Sequence, residues 1–517
     1  MRVMVRRVLL ELMILVVGAT AGLAARSAVP PVADAARYAD WELVDSLIQS
    51  GVDVTVPKID GSTALHWASY WDKSDVVDLL IRTGADVNAV TDLGVTPLWT
   101  ACENGSAEVV RKLLEAGADA NAALSSGETV LMTASRVGAE DVVSLLLGFG
   151  ANVDAVGVRN QTALMWAVAQ RHVEVVQVLV SSGANIHARS RTRTEVVKTS
   201  PEPWNPEYVV DLEQGGYTPL LFAARVGDLD SAKALVDAGA DANDVAPYGT
   251  SATVVAAHSG HGSVARFLLE NGADPDQMQA GYSALHAAIL HKDVTLVRAL
   301  LDHGADPNAN VRASTPVRRD AVDFYLHPSY GGATPFWLAA RFSAPEIMEL
   351  LIAAGADARR SHFPIYWPGS LSVRGNRELV EEGETTALMA AVGMGGRDPL
   401  VSVDRLSRIA ESAPVRSTRR EPDSDVRELN VLASATIAVD NGVNLNASNS
   451  DGDTALHQAV RRGYDTVVKY LVGKGARVDV ANRAGRTLLD LAEQTRSSDE
   501  LLHDSTVDLL RVVGGGK

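Results

Sequence analysis

Apolar residues in this chain fall into two short runs that recur, with polar punctuation between them, about every 33 residues. The second run of each unit has helical spacing, as in AEVVRKLLEAG at 107–117, where Val109, Val110, Leu113 and Leu114 share one face. The first run is shorter and alanine-rich, as in PLLFAARVG at 219–227, so neighbouring copies can approach closely. Thr63, Thr96, Thr129, Thr162, Thr218, Ser283, Thr334, Thr386, Thr454 and Thr487 precede these first runs. Their hydroxyls are placed to accept from amides that have no partner inside the first helical turn. Pro97, Pro219 and Pro335 follow at the first helical position, where a missing N–H costs nothing. Gly51, Gly84, Gly117, Gly150 and Gly183, each 33 apart, end the second helices, and Gly239, Gly272, Gly304, Gly355, Gly442 and Gly475 continue the series. An Asp or Asn two positions later opens an extended loop. The pattern predicts helix, tight turn, helix and finger loop, repeated along the chain.

Self-similarity at this period points to a stacked solenoid rather than a set of globular domains. The phrases STALHWA at 62, YSALHAA at 282 and TALHQAV at 454 share a T-P-L-H-x-A pattern, and at this period the chain resembles the ankyrin repeat family. The resemblance covers roughly residues 34–513 and implies an all-α ankyrin-repeat solenoid of about twelve helix-turn-helix units with finger loops. His66, His286 and His457 keep the family histidine, whereas Trp99, Met132, Met165 and Trp337 replace it. The expected organisation is an N-terminal capping repeat at 34–61, repeats over 62–486, and a C-terminal capping repeat and tail at 487–517.

The spacing breaks at four places. Three excesses, at 191–215, 311–331 and 359–384, fall in finger loops and hold eight of the chain's 26 aromatic residues, among them Trp204, Tyr325 and Trp367. A disordered linker would be poor in aromatics, so these insertions are expected either to cover neighbouring fingers or to contact a partner. The fourth, at 395–425, lies between the two helices of one repeat, and its second half is rich in Pro, Ser and charge.

Residues 1–25 read differently. Arg2, Arg6 and Arg7 precede an apolar run and then small residues, the pattern of a cleaved secretory signal. An exported, periplasmic or extracellular protein is therefore expected; tethering by an uncleaved segment is the alternative. The apolar run is short for a spanning helix and carries Glu11, so no stable membrane insertion is expected after cleavage. The net charge of −17, which would become −19 on loss of residues 1–24, argues against nucleic-acid partners. A monomer is expected. Cys102 is the only cysteine, excluding intramolecular disulfides, and it stands at a small-residue position of a first helix.

Catalytic patterns are scarce, with no nucleophile elbow, metalloprotease helix or phosphate-binding loop. His258 and His261 have metal-ligand spacing, but His261 also suits an inter-helix turn. No cofactor, metal or catalytic residue is assigned. The regular Asp row in the GAD phrases suits Asx turns better than calcium. The ends of the first helices carry Tyr70, Trp71, Arg136, Arg225, His258, His291, Arg341 and Phe342 at positions the family leaves variable and exposed on its concave side. Arginine and aromatics dominate binding hot spots; the same arginines could instead lie over neighbouring repeats and pair with finger carboxylates. The resemblance thus implies a non-catalytic scaffold that binds a partner protein or an acidic peptide through its concave face and insertions. An enzyme with a site built from the insertions, using His258, His291 or His327, and a purely structural spacer are the alternatives.

Overall fold

The computed structural model describes residues 32–198, 209–312, 328–363, 383–395, 424–496 and 504–514. These fall into two compact units, the first running to Asn152 and the second starting at Val153.

Within the first unit, the inner helices Val32–Arg37, Ala64–Tyr70, Pro97–Asn104 and Val130–Val137 pack successively on one another. The outer helices Ser74–Arg82, Ala107–Glu115 and Glu140–Gly148 form a second row behind them. In the second unit the inner row runs through Ala163–Gln170, Pro219–Val226, Ala252–His258, Ala284–His291, Pro335–Arg341 and Ala387–Ala391 to Ala455–Arg462 and Leu488–Arg496. The core is made of thin aliphatic layers. Leu65, Leu98 and Leu131 of inner helices, and Leu80, Leu113 and Leu146 of outer ones, are fully buried beside Ala68, Ala101 and Ala134. Each such leucine contributes about 1.5–3 kcal/mol of burial.

The caps explain the repeated phrases. Thr96 Oγ1 accepts from the Trp99 amide at 3.0 Å, and Thr129, Thr218, Ser251 and Thr334 accept from the equivalent amides. Where the histidine is kept the cap gains a second half. The Ser283 amide donates to His286 Nδ1 at 3.1 Å, while Nε2 donates to the Ala309 carbonyl of the following finger at 2.9 Å. His66 does the same between Thr63 and Val95.

The polar residues of the fingers are spent on register. Asp241 accepts from the Asn243 amide at 2.9 Å in an Asx turn. The Asn243 side chain then bridges to the next finger, donating to the Gly272 carbonyl at 3.0 Å and accepting from the Asp274 amide at 2.7 Å. Asn88, Asn121 and Asn308 make the same two-way bridge. Asp276, at the equivalent position, can only accept, from Asp306.

One segment adds strand to the all-α expectation. In the 191–215 insertion, Arg193–Lys198 pairs antiparallel with Val209–Gln214, with Arg193 opposite Gln214 and Lys198 opposite Val209. Thr194, Val196, Val197, Val209 and Val210 are β-branched, which favours the pleated conformation over a coil. The repeat that begins at Ala387–Ala391 is completed by a 17-residue helix, Ser424–Asp440, where the other outer helices of the array from Ser74–Arg82 through Pro345–Ala353 have nine. Most of the 395–425 break lies outside the described residues, as do residues 1–31 with the signal expectation.

Candidate protein-interaction surface

The last carbonyls of a helix have no partner within it. In this chain, side chains of the next or preceding repeat supply the missing donors. Trp71 Nε1 donates to the Arg37 carbonyl at 3.3 Å, and Asn104 Nδ2 donates to that of Tyr70 at 2.6 Å. In the second unit, His291 Nε2 donates to the His258 carbonyl at 2.9 Å, the His261 ring bonds the Arg225 carbonyl, and the Arg171 guanidinium donates to the carbonyl of Val226. Several inner-helix-end positions therefore hold neighbouring repeats together, whatever else they touch.

What remains exposed differs between the units. In the first, the Tyr70 ring packs edge-on against Trp67 at 5.9 Å and Trp71 at 5.2 Å. Arg37 lies over Trp67 and Tyr38, at 5.6 Å and 5.9 Å. Trp71 keeps 40% and Tyr38 71% of its surface exposed, so these rings make an open aromatic patch. Arg136 is committed elsewhere, bonding Glu103 at 2.5 Å and Glu128 at 3.3 Å. The pairing of a helix-end arginine with neighbouring carboxylates is realised there.

In the second unit Arg225 is exposed, 5.9 Å from the Tyr217 ring, and the half-buried His258 ring lies 6.1 Å from that of Tyr282. Arg341 and Phe342 depart from expectation: they are buried, at 4% and 8% exposure, and offer no open surface. The reason lies in the insertions on either side. Tyr330, from the end of the 311–331 segment, packs 5.8 Å from Phe342 and 6.2 Å from Trp337. His362, from the start of the 359–384 segment, stacks 4.2 Å from Trp337 and donates to the Gly331 carbonyl at 3.1 Å. Backbone bonds between His362 and Thr385 close the base of that insertion. Burial holds the His362 imidazole down to about 4, against the ordinary 6.5. Trp204, Tyr325, Trp367 and His327 lie outside the described residues.

Sequence reasoning passed over Tyr38, Trp67, His362, Arg171 and Lys292. The last two left a trace: they take the left-handed turn position, φ 63° and 55°, that Gly105, Gly138 and Gly227 fill in other repeats. Cys102 is buried in a helix, and burial pushes its thiol up, so it is an inert core residue. Among the described residues no group of three or more His, Cys, Asp or Glu is placed to hold a metal, and no helix is long and apolar enough to cross a membrane.

A family model of ankyrin repeats in three copies matches residues 32–124, 117–190, 220–311 and 428–510. The chain belongs to the ankyrin repeat family. The matches stop at 311 and resume at 428, across the stretch where the spacing breaks. An E3 ubiquitin-protein ligase of Arabidopsis thaliana is 28% identical over 309 residues, 54% of this chain and 18% of that protein. A putative ankyrin repeat-containing protein of Treponema pallidum is 41% identical over 93 residues, 17% of this chain and 31% of the relative. The chain thus spans less than a third of either relative's length. The human ASB11 ankyrin repeat domain is 28% identical, with 48% of this chain and 99% of that domain covered and a TM-score of 0.39. Ankyrin repeats are in general protein-interaction modules, and the region matched here is of that repeat type.

Proposed function

We propose that this protein is a non-catalytic scaffold that binds another protein through the open ends of its inner helices and through its finger insertions. The exposed Trp71–Tyr38 patch carries this reading: two large aromatic rings beside Arg37, left open at the inner-helix ends of the first unit. Such rings offer much contact area at little entropic cost and are enriched at binding hot spots. Tyr70, Trp71, Arg225 and His258 are the contact residues, with Trp204, Tyr325 and Trp367 from the insertions. A monomer without nucleic-acid partners belongs to the same reading, on the acidic charge of −17.

The test is crosslinking of the native protein followed by recovery with wild-type and variant baits. Trp71→Ala and Arg225→Ala should each lose a stoichiometric partner that wild type retains. Capture unchanged by both would remove the reading, and capture of nothing by wild type would favour a structural spacer.

Export belongs to the same proposal, on the basic residues and apolar run of 1–25. N-terminal sequencing of the native protein should begin between about Gly22 and Val29. A cytosolic product that retains Met1 would overturn it.

A further inference from the structure

Asn88, Asn121, Asn243 and Asn308 each stand four residues after the glycine that ends an outer helix. Each side chain donates to the carbonyl of the next such glycine and accepts from the amide two residues beyond it. Four residues after Gly355 the chain places Arg359 instead. A guanidinium carries donors and no acceptor, so it cannot take the amide that this register brings to it. That amide belongs to Asn444, and among the described residues it has no acceptor. The junctions on either side are intact. Asn308 accepts from the Asp357 amide at 2.8 Å before the break, and Asn446 from the Arg477 amide at 2.9 Å after it.

The two fingers that fail to bridge enclose a cleft of about 350 Å³. Arg359 lines one side, its Nε 3.1 Å from where a Cβ on Gly442 would stand, so the guanidinium lies against the opposite finger. Ser361 and Glu384 enter from the base of the 359–384 insertion, where His362 and Thr385 are paired through their backbones. Arg359 and Glu384 are both exposed, and among the described residues neither belongs to an ion pair. Asp357, the carboxylate closest in the chain, is turned onto its own finger and accepts from the Arg359 amide at 3.1 Å. Arg360 points back to the preceding finger, donating to the Asn308 carbonyl at 2.8 Å. A cation and a carboxylate thus line one cleft without joining each other.

We propose that this cleft binds a small zwitterion, a free amino acid or a short peptide with both termini charged. The ligand carboxylate lies against the Arg359 guanidinium and accepts from the Asn444 amide, replacing the oxygen that Asn supplies at other junctions. Its ammonium lies toward Glu384. The two charges also set what is refused, since Glu384 disfavours a simple anion and Arg359 a simple cation. The volume falls at the lower end of small-molecule sites, about 300–1,000 Å³, which suits a ligand of this size. The site stands apart from the inner-helix contacts of the scaffold reading. A ligand here joins two fingers, so it should stabilise the stack as well as occupy it.

Titration calorimetry on the full chain tests this, with alanine and trialanine as probes, each also in its N-acetylated and C-amidated form, in millimolar excess. Alanine or trialanine should bind, and the tighter of the two identifies the source of the zwitterion. Blocking either end of that ligand should weaken it roughly tenfold, the worth of one charge-assisted hydrogen bond. Arg359→Gln and Glu384→Gln should each cause a similar loss at unchanged Tm, because both side chains are exposed. Arg359→Asn should abolish binding yet raise Tm, since asparagine restores the bridge to Gly442 and Asn444. No binding of either zwitterion by wild type, equal binding of the blocked forms, or unchanged binding by Arg359→Gln would overturn the proposal. A Tm for Arg359→Asn no higher than that of wild type would overturn the register argument on which it stands.

Discussion

The imidazole of His291 donates through Nε2 to the carbonyl of His258, 33 residues earlier and one repeat away, at 2.9 Å. It closes the end of the helix Ala252–His258 with a side chain from the next unit, so the contact is between repeats rather than within one. In a solenoid, stability is approximately a sum of such neighbour terms. His291→Ala should therefore lower stability by about 1 kcal/mol, the usual worth of one hydrogen bond. Urea denaturation would show this as a lower midpoint; a midpoint equal to wild type would mean that water replaces the imidazole at no cost.

Arg225 and Arg341 occupy the same place in their repeats, seven residues after Thr218 and Thr334 respectively, yet one is exposed and the other is 4% exposed. Arg341→Ala is expected to cost roughly 2–4 kcal/mol, because it empties a packed site and strands its neighbours. Arg225→Ala should stay within about 0.5 kcal/mol, as for exposed positions. Thermal melts of the two variants decide; equal Tm values would contradict the burial of Arg341.

Two imidazoles, His286 and His362, are held at about 4 by burial, against 6.5 for the free side chain. The unfolded chain therefore takes up these protons first as pH falls. Stability should be full above about pH 6.5, fall between 6.5 and 4, and level off below, by roughly 3 kcal/mol per histidine at most. Denaturant midpoints at pH 7, 5.5 and 4.5 test this. A flat profile across that window would show that neither ring stays neutral in the folded protein.

Two glycines with positive φ separate backbone cost from steric cost. Gly239, at φ +99°, has nothing within 4 Å of an added Cβ, whereas at Gly227, φ +72°, that atom would strike the His261 ring. Gly239→Ala should cost about 1 kcal/mol, from the backbone alone. Gly227→Ala should cost distinctly more and displace His261, which would appear as a shift of that imidazole's NMR resonances. Equal costs would argue that the ring moves aside freely.

Much of the fold was legible in the sequence because repetition makes a local signal redundant. The hydroxyl at the head of each inner helix, the glycine after each outer one and the Asp or Asn of each finger recur with the period, and each does a job that depends only on near neighbours in the chain. Thr96, Thr334 and Asp241 act in the structure as their residue types dictate. The strand pair Arg193–Lys198 and Val209–Gln214 carried β-branched residues but stood outside the period, so repetition gave it no support.

The candidate surface was less legible. Sequence position alone determined that Tyr70, Trp71, Arg225, His291 and Arg341 stand at inner-helix ends, since the register counts them there. Which of them meet solvent depended on contacts between segments distant in the chain. Tyr330 and His362 close over Trp337 and Phe342, Glu103 and Glu128 engage Arg136, and the His258 carbonyl takes the His291 ring. A period specifies where a side chain starts, because helix geometry is local. Its exposure is set by what folds back over it, and only the tertiary structure decided that.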